Sequence, residues 1–261
     1  MEFTIDNVAL NVQVLGQGEP ALVFLHYWGG THRTWNAVTS QLISDYRVVT
    51  YDMRGWGQSG AASDGYSIRS LANEAMALVK QLRLSTYVLV GHSMGGKVAQ
   101  LVASRRPEGL MGLVLVAPAP PTPAHMPDEA KQQQMHAYDN RETVLQTVGF
   151  LCARTPSGEL VEQIIADSLS GTPEAKLAWP TEGMAADISA DVAQIVVPTL
   201  VLAGEMDRLD SVDQHRREVI ARIPVSEIEI VTGSGHLLPI DEPLQTARAI
   251  RRFVGQLPPR G

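Results

Sequence analysis

The pentapeptide Gly91-His92-Ser93-Met94-Gly95 constrains the fold of this chain more than any other feature. It follows the apolar run Tyr87–Val90 and opens a helical pattern, Lys97–Ala103. Serine between glycines at this spacing, with a strand before it and a helix after it, fits a very tight strand-to-helix turn. Strand and helix almost touch across such a turn, so the residues two before and two after the serine must lack bulk. Gly91 and Gly95 meet that need, and Gly96 adds slack. The serine backbone is strained there, and the Ser93 hydroxyl is pushed out of the sheet.

The flanking pattern extends this unit into a fold. Glu2–Ile5 and Val8–Val14 alternate in polarity and read as an antiparallel hairpin. Ala21–Leu25, Val48–Tyr51, Tyr87–Val90, Leu113–Val116 and Thr199–Leu202 are short continuous apolar runs, as in parallel strands covered on both faces. Helical patterns at Trp35–Leu42, Ile68–Leu82 and Met94–Arg105 separate the earlier runs. The expectation is an α/β protein with a mostly parallel, doubly wound sheet. After Val116 the proline-rich segment Ala117–Pro123 ends the alternation, and only helical patterns follow until Ile195. One carries Val144, Leu145, Val148 and Leu151 on a face, another Leu160, Val161, Ile164 and Ile165. We therefore expect a core formed by 1–119 and 191–261, and a helical lid of 120–190 inserted after the sixth strand. Ligands of such sheets bind at the carboxyl edge, which a lid there would cover.

Charge and cysteine use exclude several roles. The 261 residues carry a net charge of −7 without a conspicuous Lys/Arg cluster, which argues against a nucleic-acid partner. Cys152 is the only cysteine, so no internal disulfide is possible, and its apolar helical setting points to inert packing. No apolar run approaches the roughly 18 residues of a membrane span. Met1–Asp6 lacks the basic-then-apolar pattern of a signal peptide. A cytoplasmic location is the expectation.

A serine hydroxyl needs a base to become nucleophilic near neutral pH, and that base needs an orienting partner. Of the seven histidines, His236 stands in the flexible loop Thr232–His236 after an apparent last strand, Ile228–Val231. His26 and His92 flank other motif residues and are expected to support the backbone. His32, His125, His136 and His215 are expected on the solvated surface. For the acid, Asp207 follows the strand and turn Leu200–Gly204, with Asp210, Asp213 and Glu205 as alternatives. An oxyanion formed on attack needs two donors. The Met94 amide at the helix start and the Trp28 amide in the loop His26–Gly30 are the candidates.

These segments resemble the α/β-hydrolase superfamily. The chain is similar to small bacterial esterases and to the cofactor-free haloperoxidase or perhydrolase branch, with lactonases and carbon–carbon bond hydrolases nearby. Gly91–Gly96 matches the family's nucleophile elbow, and Tyr51–Ser59 its structural Asp-x-Arg-Gly-x-Gly-x-Ser turn. Gly204–Asp207 matches the acid loop, and Gly233–His236 with Asp241-Glu242-Pro243 the histidine loop. The resemblance implies Ser93 as nucleophile, His236 as base, Asp207 as orienting acid, and the Trp28 and Met94 amides as oxyanion donors. It implies neither metal nor organic cofactor. Tyr27 replaces the glycine usual in the oxyanion loop. Gly29 replaces a proline common in perhydrolases, which points away from peroxide use.

The implied reaction is hydrolysis of small to medium, largely uncharged carboxylic esters through an acyl-enzyme. Lactone opening, perhydrolysis and a slowly turning ligand sensor are the alternatives. Carbon–carbon cleavage would need anion contacts, for which Arg141 and Arg154 are weakly placed. Tyr27, Met126, Tyr138, Trp179 and Leu237 are the expected substrate contacts. Met135, Phe150, Leu151 and Met184 are further candidates for an apolar lid lining.

Overall fold

Alternation at the amino terminus folds as β1 (Glu2–Ile5) and β2 (Val8–Leu15), paired antiparallel. Asp6 and Asn7 both take positive φ at their tip, the conformation that the twist of a two-residue hairpin favours. The computed structural model describes residues 1–124 and 127–258. Among them, the continuous apolar runs become β3 (Ala21–Leu25), β4 (Val48–Tyr51), β5 (Tyr87–His92), β6 (Leu110–Val116) and β7 (Thr199–Gly204), followed by β8 (Ser226–Val231). They join the hairpin in one sheet of order β1-β2-β4-β3-β5-β6-β7-β8. All pairings from β4 through β8 are parallel, and β2 runs antiparallel to β4.

Side chains alternate across a strand, so a strand with no polar residue feeds two cores. Val23, Leu25 and Leu89 enter one apolar cluster, and Leu22, Phe24, Val88 and Val90 enter the other. Helices α2 (Ile68–Gln81) and α3 (Met94–Ser104) cover the first face through Leu71, Ala75, Leu78, Val98 and Val102. The second face packs against Trp35, Val38 and Leu42 and against α11 (Pro243–Gln256). The expected helix at Trp35–Leu42 is shorter. A 3-10 turn at His32–Trp35 leads into the one-turn helix α1 (Asn36–Thr39). The Thr39 and Ser40 hydroxyls donate to the carbonyls of Asn36 and Ala37, local bonds that compete with helix continuation.

Between β6 and β7 the chain runs through α4 (Asp128–Met135), α5 (Arg141–Leu151), α6 (Gly158–Leu169), α7 (Pro173–Ala178) and α8 (Ser189–Val192). Val144, Val148 and Leu151 of α5 and Ile164 and Ile165 of α6 are buried as their spacing predicts, but Leu160 stays exposed. Two short helices, α9 (Val212–His215) and α10 (Leu238–Asp241), follow β7 and β8 respectively. The inserted helices are tied to the segment that follows β3 by polar bonds. Arg33 Nε donates to Asp167 at 2.8 Å, and Trp28 Nε1 donates to the Lys176 carbonyl at 3.0 Å. No helix among the described residues is long and apolar enough to cross a membrane.

Candidate active site

Ser93 caps the carboxyl end of β5 with φ 53° and ψ −114°, a conformation that L-residues seldom adopt. The surrounding structure enforces it. A side chain at Gly95 would press on the carbonyls of Leu25 and His26 at about 2.5 Å, and one at Gly91 would meet the Gly95 carbonyl. The Ser93 amide donates to Val116 on β6, and the Ser93 carbonyl accepts from Lys97 and Ala119. These bonds fix the serine backbone and take up none of the capacity of its hydroxyl.

The loops after β7 and β8 supply the partners. Ser93 Oγ lies 2.8 Å from His236 Nε2, and His236 Nδ1 lies 2.8 Å from Asp207 Oδ2. The other Asp207 oxygen accepts from the amides of Leu209 and Asp210 at 2.8 and 3.0 Å. Thus Asp207 is the carboxylate on the imidazole. Asp210 and Asp213 are not bonded to it, and Glu205 instead accepts from the Gly233 amide of the histidine loop. Burial raises the Asp207 carboxyl, but attraction to His236 and three hydrogen bonds outweigh it and hold the group below its ordinary range. Burial likewise depresses the His236 imidazole, yet the charge and hydrogen bond of Asp207 leave it raised. Such a series can carry a proton from a hydroxyl to an imidazole and stabilise the resulting cation.

The remaining histidines are mostly internal. His26 Nδ1 lies 2.7 Å from the Tyr27 carbonyl, and its Nε2 accepts from the Met53 amide at 3.0 Å, so the ring joins two loops as a neutral tautomer. His92 Nε2 is 2.8 Å from the His236 carbonyl and braces the loop from below. Two surface expectations need correction. His215 is buried, and His32 is half-buried with Nδ1 2.7 Å from Asp52. The cause is tertiary: His32 is drawn in by Asp52, and His215 packs close to Asp207 and His236. His136 is exposed, and His125 lies outside the described residues. Asp52 also accepts from Asn11 and from the amides of His32 and Gln58. Burial raises its carboxyl, but those bonds bring it far below the usual carboxylate value.

Main-chain donors complete the arrangement. Neither the Trp28 nor the Met94 amide has a protein acceptor among the described residues. Met94 begins α3, where free N–H groups and the helix dipole favour negative charge. Tyr27 does not take up the conformational role of the usual glycine. The positive φ of this loop falls at Gly29 (+92°), where any side chain would collide with the Tyr138 ring.

A cavity of about 370 Å³ opens onto Ser93. Trp179 and Met184 line it, together with Leu209 and the proline-rich segment after β6. Tyr27, Tyr138 and Leu237 do not line it. Tyr27 packs on His92, the Tyr138 hydroxyl donates to the Trp28 carbonyl at 2.7 Å, and Leu237 is in the core. Arg141 and Arg154 point elsewhere, pairing with Glu162 and Glu242. Phe150 is exposed and lies under Arg208, and Met126 is outside the described residues. The lining is also less apolar than expected, because Lys97, Asp210, Arg217 and Glu218 reach it. Lys97 was not among the residues expected here, since a lysine in a helical pattern is ordinarily solvated.

A profile described as the alpha/beta hydrolase family matches residues 22–249. A pimeloyl-[acyl-carrier protein] methyl ester esterase of Aeromonas hydrophila is 30% identical over 95% of this chain and 100% of its own. A non-heme chloroperoxidase of Kitasatospora aureofaciens is 28% identical over 89% and 90%. Among solved structures, an esterase of Exiguobacterium antarcticum superposes with a TM-score of 0.89 at 21% identity, covering 97% of this chain and 98% of that one.

Proposed function

Since this chain belongs to the alpha/beta hydrolase family, we propose that it hydrolyses carboxylic esters through an acyl-enzyme formed on Ser93. The observation that carries this reading is the unbroken hydrogen-bonded series Ser93–His236–Asp207. His236 Nε2 takes the hydroxyl proton as Oγ attacks the ester carbonyl. Asp207 keeps the Nδ1–H tautomer and offsets the imidazolium charge. The tetrahedral oxyanion is met by the Trp28 and Met94 amides. Collapse expels the alcohol, protonated by His236, and water then repeats the sequence to release the acid.

The helices of 120–190 act as a lid in this reading. Two observations support that role: Trp179 and Met184 share the cavity with Ser93, and Tyr138 holds the loop that carries Trp28. The similarity to a methyl ester esterase supports ester cleavage in particular. The test is multiple-turnover kinetics on a panel of esters and lactones, with and without Ser93→Ala. Turnover should be lost to background in the variant. Wild-type turnover that survives Ser93→Ala, or a wild type that stops after one product per chain, would sink the proposal.

A further inference from the structure

The Lys97 ammonium is almost sealed, with the residue only 1% exposed, and yet it lines the cavity that opens onto Ser93. Among the described residues its single hydrogen-bond partner is the Thr122 carbonyl at 3.3 Å, and it forms no ion pair. An ammonium has three N–H donors, so most of its capacity is unspent where desolvation is most costly. The acidic groups nearby do not neutralise it. Glu218 is paired with Arg222 at 3.2 Å and accepts from the Thr122 hydroxyl. Asp187 is exposed and accepts from the Ser189 amide. Asp210 accepts from Gln214 Nε2 at 2.9 Å. Burial lifts the Asp210 carboxyl to about 7, so it is only a partial counter-charge. Burial lowers Lys97 to about 8, with Asp187 and Asp210 opposing the shift, so the amine is still largely cationic at neutral pH. Arg217 adds a second cation on the same wall, exposed to solvent.

Position relative to the nucleophile gives this cation its meaning. Lys97 stands four residues after Ser93, and its amide donates to the Ser93 carbonyl at 3.0 Å. Ser93 itself is not helical, but that bond holds Lys97 one turn beyond it, and both residues line the same cavity. A group held by Lys97 therefore sits a short chain away from an ester carbonyl at Ser93. We propose that the cavity receives an anionic arm of the substrate, a carboxylate separated by a short spacer from the scissile ester, with Lys97 as its recognition residue. The inference rests on Ser93 being the nucleophile, and it replaces the expectation of a largely uncharged substrate.

The experiment compares kcat/KM for matched esters. Monomethyl glutarate places the carboxylate on the acyl side, and acetoxyacetate places it on the alcohol side. Methyl pentanoate and ethyl acetate are their neutral counterparts, and acetylcholine is the cationic control. One carboxylate ester should exceed its neutral counterpart by about ten- to a hundredfold, the range of a hydrogen-bonded charge contact. Whichever one gains identifies the side of the ester that enters the cavity. Lys97→Met should collapse that ratio, and Lys97→Arg should retain most of it. Should Lys97→Met fail to fold, competitive inhibition of the wild type by glutarate gives the same information. Preference for the neutral esters or for acetylcholine overturns the inference, as does a ratio that survives Lys97→Met or an absence of inhibition by millimolar glutarate. Serine-dependent turnover of p-nitrophenyl acetate separates the two readings. If it persists without carboxylate preference, only the anionic arm is wrong. If it is absent, the hydrolase reading falls and this inference with it.

Discussion

At the scale of single residues, opposing influences on His236 set the working pH range. Burial favours the neutral ring and Asp207 favours the cation, and the balance leaves the imidazole above its ordinary value near 6.5. Only the neutral ring can accept the Ser93 proton. The rate should therefore fall as pH drops through a midpoint above about 6.5. Asp207→Asn removes both the charge and the correct tautomer. It should lower kcat by about 10⁴ and move the acid limb of kcat/KM to lower pH. A pH profile of the residual activity checks this, and an unmoved limb would dissociate Asp207 from the imidazole. The sequence led to His236 and Asp207 through their loops, since a glycine-rich segment after a strand is a local pattern. It missed Lys97, because a charged side chain on a helix is ordinarily solvated and only its neighbours reveal that this one is sealed.

At the scale of elements, the turn from β5 into α3 is held by close approach of main chains. Replacing Gly95 by alanine places a methyl group about 2.5 Å from the carbonyls of Leu25 and His26. Neither carbonyl can yield without moving β3 or its loop, which also carries Trp28. Gly95→Ala should therefore cost about 1–3 kcal/mol, the range of overpacked cores. Its activity should fall further than stability alone explains. Urea unfolding together with kcat on any hydrolysed ester measures both, and a variant of wild-type stability and rate would refute the close-packing argument. Strands and principal helices were legible from period and breakers, because alternation or its absence reports directly how many faces are covered. Less legible were short helices. α1 is cut to a single turn by hydroxyl-to-backbone bonds, and Leu160 of α6 falls on an apolar stripe but finds no surface to cover.

At the scale of the whole molecule, three buried histidines tie stability to pH. Burial lowers His26 and His215 to about 4 and His92 to about 3, despite raising contributions from neighbouring hydrogen bonds or carboxylates. A depressed folded-state value means that their contribution is present above the unfolded value near 6.5 and is lost as pH falls toward 4 and below. His236, being raised, acts in the opposite sense, and its contribution fades only as pH rises through its folded value. Asp210, lifted by burial to about 7, also acts in the opposite sense, because the folded state takes up its proton first as pH falls. With three lowered rings against one raised carboxyl in that window, net stability should fall between about pH 6.5 and pH 4. Urea midpoints across that range test it, and a flat profile would be incompatible with the three neutral rings. His215→Gln should flatten part of the slope, since the buried His215 Nε2 has no partner among the described residues. Local sequence determined the strand–turn–helix unit around Ser93, the parallel character of the sheet and the identity of the candidate acid and base, because periodicity, glycine spacing and loop position are properties of neighbouring residues. Tertiary structure alone decided that residues 143 and 29 positions apart meet within hydrogen-bond distance, and that a lysine with unspent donors faces the same space as the serine. Strand order and the packing of inserted helices create those encounters, and a pattern along one segment carries no information about what lies across a cavity from it.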